Sequence, residues 1–198
     1  MFGALCGGLS AYWLERYRER TKKTSEQFSA LVRSQFALIV QLNTLSNIKI
    51  QFLDRYRNDE KRELRMIRFN IEDSKLRVAY DSIAFLASTD ANTLLSVQLA
   101  EQSYVAAVSA LASRNNAFDF LHENTTVMRG DPQTGRMTLA TNDPRPLKLL
   151  KDTTDSLYNT VDKACERLKE EIAQLRTVGK KLYPKKKFLK IEPPAKAD

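Results

Sequence analysis

LKLLKDTTDSLYNTVDKACERLKEEIAQLRTVGKKL, residues 147–182, is the stretch that decides the fold class. Leu147, Leu150, Leu157, Val161, Ala164, Leu168, Ile172, Leu175 and Leu182 recur at spacings of three, four and seven. That is the rhythm of a helix with one apolar seam, and strand alternation cannot produce it. Asp143, Pro144 and Pro146 open the helix, because proline is tolerated in a first turn, and Pro184 closes it. A seam this long needs partner helices to cover it, so the expected class is all-α.

Upstream, Asp90 reads as the N-cap of a second long helix over residues 91–122. Leu95, Leu99, Val105, Val108, Leu111 and Ala112 are its expected inward face, and Ala100, Ala106, Ala107 and Ala110 favour close packing. A third helix starts at Thr24 or earlier, since nothing between Leu14 and Ser25 would stop it. Phe28, Leu31, Leu38, Leu42, Leu45, Phe52 and Tyr56 form its stripe, with Gln35 and Lys49 in the skipped places. Residues 57–89 lack a steady period and read as an irregular connector ending in a short helix at 80–87. Residues 124–146 read as a small β-hairpin or irregular loop around Gly130-Asp131-Pro132-Gln133-Thr134-Gly135. The predicted architecture is an elongated antiparallel bundle of three long helices plus a short one. With three crossings the 124–146 loop returns to the N-terminal end and the lysine-rich tail points away from it, which is the expected arrangement. A full fourth helix over residues 60–87 would reverse this and bring the tail to the N-terminal end.

Residues 1–14, MFGALCGGLSAYWL, carry no charge and read as a membrane-anchor helix. Tyr12 and Trp13 close the run, and Arg16, Arg18, Arg20, Lys22 and Lys23 follow at once. Apolar run, aromatic residues, then cations is the order met on passing from lipid to cytosol, so the body is expected on the cytoplasmic side. Fourteen helical residues span roughly 21 Å against about 30 Å of hydrocarbon. The segment is therefore the end of a longer span, a short mismatched span, or an interfacial helix. A secretory signal fits poorly without a basic region ahead of it, and Leu5 is too large for a lipoprotein site before Cys6. Gly3 with Gly7, Ala4 with Gly8 and Gly7 with Ala11 have the spacing of close helix pairing. The expected organisation is anchor 1–14, basic juxtamembrane segment 15–23, helical bundle 24–183 and basic extended tail 184–198.

The net charge of +8 is unevenly placed in the 198 residues. Residues 15–23 and 55–68 are each net +3, and residues 180–198 are net +5, which leaves the rest acidic. Local contacts with an anionic surface follow, with Lys185, Lys186, Lys187 and Lys190 as candidates. Tyr183 and Phe188 among those lysines also suit stacking on nucleic acid.

No catalytic constellation stands out. The only histidine, His122, falls at a predicted helix end, and Cys6 and Cys165 lie far apart, so no zinc site or disulfide framework can be drawn. The Glu170, Glu171 and Asp152, Asp155 pairs read as solvated helix faces. Arg129-Gly130-Asp131 and the Asn124-Thr125-Thr126 sequon carry meaning only outside the cytosol. No cofactor is implied, and the chain is not expected to be an enzyme.

Residues 90–115, DANTLLSVQLAEQSYVAAVSALASRN, resemble a stretch of uncharacterised bacterial proteins with an N-terminal membrane anchor. That resemblance implies a bacterial inner-membrane location and brings no activity. The expected function is a membrane-anchored cytosolic helical module for protein interaction or assembly. Its expected partners are the membrane and either a second copy or another helical protein. The alternative is nucleic-acid binding at the membrane through segments 55–68 and 180–190.

Overall fold

The structure, a computed structural model, describes residues 2–70, 75–125, 127–130, 137–140 and 143–189. Its helices in chain order are α1 (Phe2–Ile48), α2 (Asp54–Tyr56), α3 (Arg62–Arg65), α4 (Tyr80–Ile83), α5 (Leu86–Thr89), α6 (Ala91–Glu123) and α7 (Arg145–Leu182). The class is all-α and the architecture a helical bundle. Residues Val127–Gly130 (β1) and Met137–Ala140 (β2) lie antiparallel, Val127 opposite Ala140. The turn expected at 131–136 lies outside the described residues.

The seam of α7 packs as its spacing requires. Leu150, Leu157, Val161, Ala164, Leu168, Ile172 and Leu175 are buried, while Leu147 at the first turn is exposed. The expectation of a solvated Glu171 is wrong. It is buried, and burial raises its carboxyl above the usual range.

α1 runs unbroken from residue 2 to residue 48, as the lack of a breaker implies. Leu31, Gln35, Leu38, Leu42 and Leu45 lie inward. A π-helical turn, Lys49–Leu53, then inserts one residue into the rhythm. Leu53 thereby takes the buried place that strict spacing assigns to Phe52, which is only half-buried. The turn is fastened to α7: the Tyr158 hydroxyl donates to the Leu53 carbonyl at 2.8 Å, and Lys49 and Arg57 both hydrogen-bond Asp162.

In α6 the cap is as predicted, with the Asp90 carboxylate accepting the Thr93 N–H at 3.1 Å. The inward face is so only at Leu111 and the half-buried Val108. Thr93, Val97, Ala100, Tyr104, Ala107, Leu111 and Leu121 are buried, whereas Leu95, Leu99, Val105 and Ala112 are exposed. α6 is apolar on more than one face, so its period does not pick out the core. Packing selects the strip with small residues, which lets α7 approach closely.

Topology departs from three alternating crossings. Cross-chain bonds order the levels: Gln35 meets Ile172, Lys49 meets Asp162, and Leu64 clusters with Leu121 and Leu150. α7 is therefore antiparallel to α1. At the start of α6, Gln174 donates to Thr93 at 2.9 Å, Gln41 donates to Glu101 at 2.9 Å further along, and Arg114 reaches the Ile67 carbonyl. So α6 runs parallel to α1, and the antiparallel arrangement expected of that pair is corrected.

The return between them runs through a strap whose described parts, residues 66–70 and 75–79, are non-helical. From Phe69, bonded to Asn115, to Val78, bonded to Glu101, it descends along fourteen residues of α6, about 21 Å. Side chains claim the strap's backbone groups. Arg114 donates to the carbonyls of Glu63 in α3 and of Met66 and Ile67 in the strap, and Gln41 donates to that of Leu76. Groups satisfied this way are no longer available to a helix ladder.

Candidate functional site

The strap decides what meets at the lower end of the bundle. Because the chain makes this extra descent, α7 ends where α1 enters the bundle. The expectation that the lysine tail points away from the N-terminal segment is thereby overturned.

Over residues 12–26, α1 stands clear of the other described elements. Residues 12–26 are all exposed, including Tyr12 at 56%, Trp13 at 62% and Tyr17 at 68%. Arg16, Arg18, Arg20, Lys22 and Lys23 lie on this arm, with Glu15, Glu19 and Glu26 among them. The Arg16 guanidinium sits 5.9 Å from the Tyr12 ring centre. Thr21 and Thr24 donate to the carbonyls of Tyr17 and Arg20 one turn back, bonds that belong to the arm itself. No described helix is long and apolar enough to cross a membrane, so the spanning anchor expected for residues 1–14 is not supported.

Where the arm joins the bundle, three rings meet. Phe28 lies 6.0 Å from Tyr183 and 5.2 Å from Phe188, both edge-on. The Tyr183 hydroxyl donates to Gln27 at 3.1 Å, and Gln35 donates to the Leu189 carbonyl at 3.2 Å. The tail is thus not simply extended: after Pro184 it folds back beside α1. Gly179 permits this, since a Cβ there would lie 2.3 Å from the Phe188 ring. Lys185, Lys186 and Lys187 are exposed on the fold-back, with the Lys186 ammonium 5.6 Å from the Phe28 ring centre. Lys190 lies outside the described residues. Five arm cations and three tail cations therefore share one end of the molecule.

The other basic segment, 55–68, lies at the opposite end of α7, which is about 57 Å long. Four of its five arginines are paired with aspartates, Arg55 lying instead over the Tyr56 ring. Arg57 binds Asp54 and Asp162, Arg62 binds Asp155 at 2.7 Å, Arg65 binds Asp59 at 2.9 Å and Arg68 binds Asp119 at 3.2 Å. Segments 55–68 and 180–190 do not form one surface.

Elsewhere among the described residues, a hollow of about 270 Å³ is lined by Arg77, Tyr80, Gln98, Glu101, Gln102 and Val105. Glu101 is committed within it, accepting from Gln41, from the Val78 N–H at 3.0 Å and from the Tyr80 hydroxyl at 2.7 Å. Burial, then that carboxylate, pushes the Tyr80 hydroxyl far above its ordinary range. His122 lies in the last turn of α6 with its ring against Phe118. Cys165 is buried and burial raises its thiol, which opposes reactivity. Among the described residues no three potential metal ligands come together.

Sequence reasoning picked out the arm cations and Lys185, Lys186 and Lys187. It missed Phe28, Gly179 and the fold-back of Phe188 as the joint that unites them. A helical glycine followed nine residues later by phenylalanine was the only local signal. No family model, curated protein or solved structure matches the chain.

Proposed function

We propose that this protein is a cytosolic helical assembly module that docks one end of its bundle on an anionic membrane, at the cytoplasmic face of a bacterial inner membrane. The observation that carries the reading is the gathering of Arg16, Arg18, Arg20, Lys22, Lys23, Lys185, Lys186 and Lys187 at one end, beside exposed Tyr12, Trp13 and Tyr17. A cation near an anionic bilayer contributes about 1 kcal/mol, and aromatic rings favour the headgroup layer. Attachment of this kind needs no crossing.

Nucleic-acid binding is the second reading. It loses weight because its two basic segments sit at opposite ends and one is engaged by aspartates.

Sedimentation of the full chain with vesicles tests the proposal. Binding to phosphatidylglycerol vesicles, weak binding to phosphatidylcholine, and at least tenfold loss on replacing Arg16, Arg18 and Arg20 by Gln are expected. Release by salt marks a charge-held protein, and resistance to both salt and alkali marks an inserted segment. Equal binding to both lipids, or tighter and steeply salt-dependent binding to duplex DNA, would overturn the reading.

A further inference from the structure

α6 carries a second strip that the bundle leaves uncovered. Leu95, Leu99, Gln102, Ala106, Ser109, Ser113, Asn116 and Phe120 follow one another at alternating spacings of four and three, and all eight are exposed. This is a complete heptad seam on the side away from the core. Leu95 is 56%, Leu99 36% and Phe120 43% exposed. From Ala91 to Asn116 every exposed residue of α6 is uncharged, since Glu101 and Arg114 are both buried. The outer face of α7, by contrast, bears Lys148, Lys151, Asp152, Lys163, Glu166, Lys169 and Glu170.

We propose that this strip pairs with the same strip of a second copy, the two α6 helices parallel and in register. Charge argues for a copy that meets here. Two chains of net charge +8 repel each other, and from Ala91 to Asn116 the helix itself brings no ionised side chain to the contact, Arg77 lying to one side of it beside Gln102. Register follows from chemistry. In the parallel arrangement Leu95, Leu99 and Phe120 face their own counterparts, and Gln102, Ser109, Ser113 and Asn116 each face an identical group that can both donate and accept. An antiparallel pairing centred between Ala107 and Val108 sets Leu99 against Asn116 and Ala106 against Ser109, which leaves polar groups opposite apolar ones. The small Ala106 and Ser109 at the centre permit close approach of the backbones.

The strip is about 38 Å long and about 12 Å across, so two copies cover on the order of 1,000 Å², the lower limit for a specific interface. An interface this small and this polar is expected to be weak and concentration-dependent. It stands independently of membrane docking, although the parallel pairing puts both arms at the same end.

Sedimentation velocity of the full chain from about 1 to about 100 µM brackets an interface of this size. A concentration-dependent dimer is expected that tightens as salt screens the repulsion. Ala106→Glu, which sets two carboxylates face to face, should weaken it at least tenfold with the helical circular dichroism unchanged. In a Cys6→Ser background, Ser109→Cys should form an interchain disulfide on oxidation, and Ala112→Cys, off the strip, should not. A monomer at every concentration overturns the proposal, as does a dimer indifferent to Ala106→Glu. A dimer whose Ser109→Cys variant stays uncrosslinked overturns the parallel register.

Discussion

Arg114 shows how much one side chain contributes to this fold. It is fully buried, its guanidinium holds the Glu63 carbonyl of α3 and the Met66 and Ile67 carbonyls of the strap, and it stacks 5.0 Å from the Phe118 ring centre. Desolvation pushes it down to about 10, still protonated at neutral pH. Arg114→Ala should cost about 3 kcal/mol in denaturant unfolding, because charge-assisted bonds are lost and buried carbonyls are exposed unpaired. Glu171 behaves in the opposite sense. Its folded-state affinity for protons is raised, so its contribution to stability is present in acid and is lost as pH rises through its folded pKa. Glu171→Gln should therefore raise Tm near pH 7 by about 2–4 °C, worth ~1 kcal/mol in a chain of this size, and change little near pH 3. Asp162 runs the other way. Burial alone would raise it, but the hydrogen bonds from Arg57 and Lys49 outweigh that and hold it low. Its contribution is present above the ordinary carboxylate range and fades as pH falls through the lowered value.

At the scale of elements, the junction of α1, α7 and the fold-back offers a clean test. Gly179→Ala improves helix propensity by roughly 1 kcal/mol but intrudes on the Phe188 ring. The expected result is near-neutral global stability with a released tail, read as faster tryptic cleavage after Lys185, Lys186 and Lys187. Unchanged cleavage would show that Phe188 is not what holds the tail. Element positions were largely legible in the sequence. The Asp90 cap, the proline start of α7 and the irregular 57–89 connector each follow from local chemistry. The inner face of α6 was only partly legible, because Leu95, Leu99, Val105 and Phe120 are exposed apolar residues that compete with the buried ones. Only the approach of α7 distinguishes them.

For the whole molecule, polarity is the functional variable. Neutralising exposed cations at the far end, for example Arg65→Gln, should leave vesicle binding unchanged, whereas removing residues 184–198 should weaken it at least threefold in the same assay. Equal losses from both would mean that the protein lies along the membrane and does not stand on one end.

By itself the sequence determined the helical class, the positions of the long helices and the identity of the basic segments, since these depend on period, caps and composition along a few turns. Which end each basic segment occupies was decided only by the tertiary structure. The deciding element is a strap that has no period of its own and whose backbone bonds are made by Gln41, Glu101, Arg114 and Asn115, residues distant in sequence. Replace that strap with a fourth helix and the polarity would be unchanged. Remove its crossing altogether and the lysine tail would move to the far end, because α6 would then have to run back down beside α1.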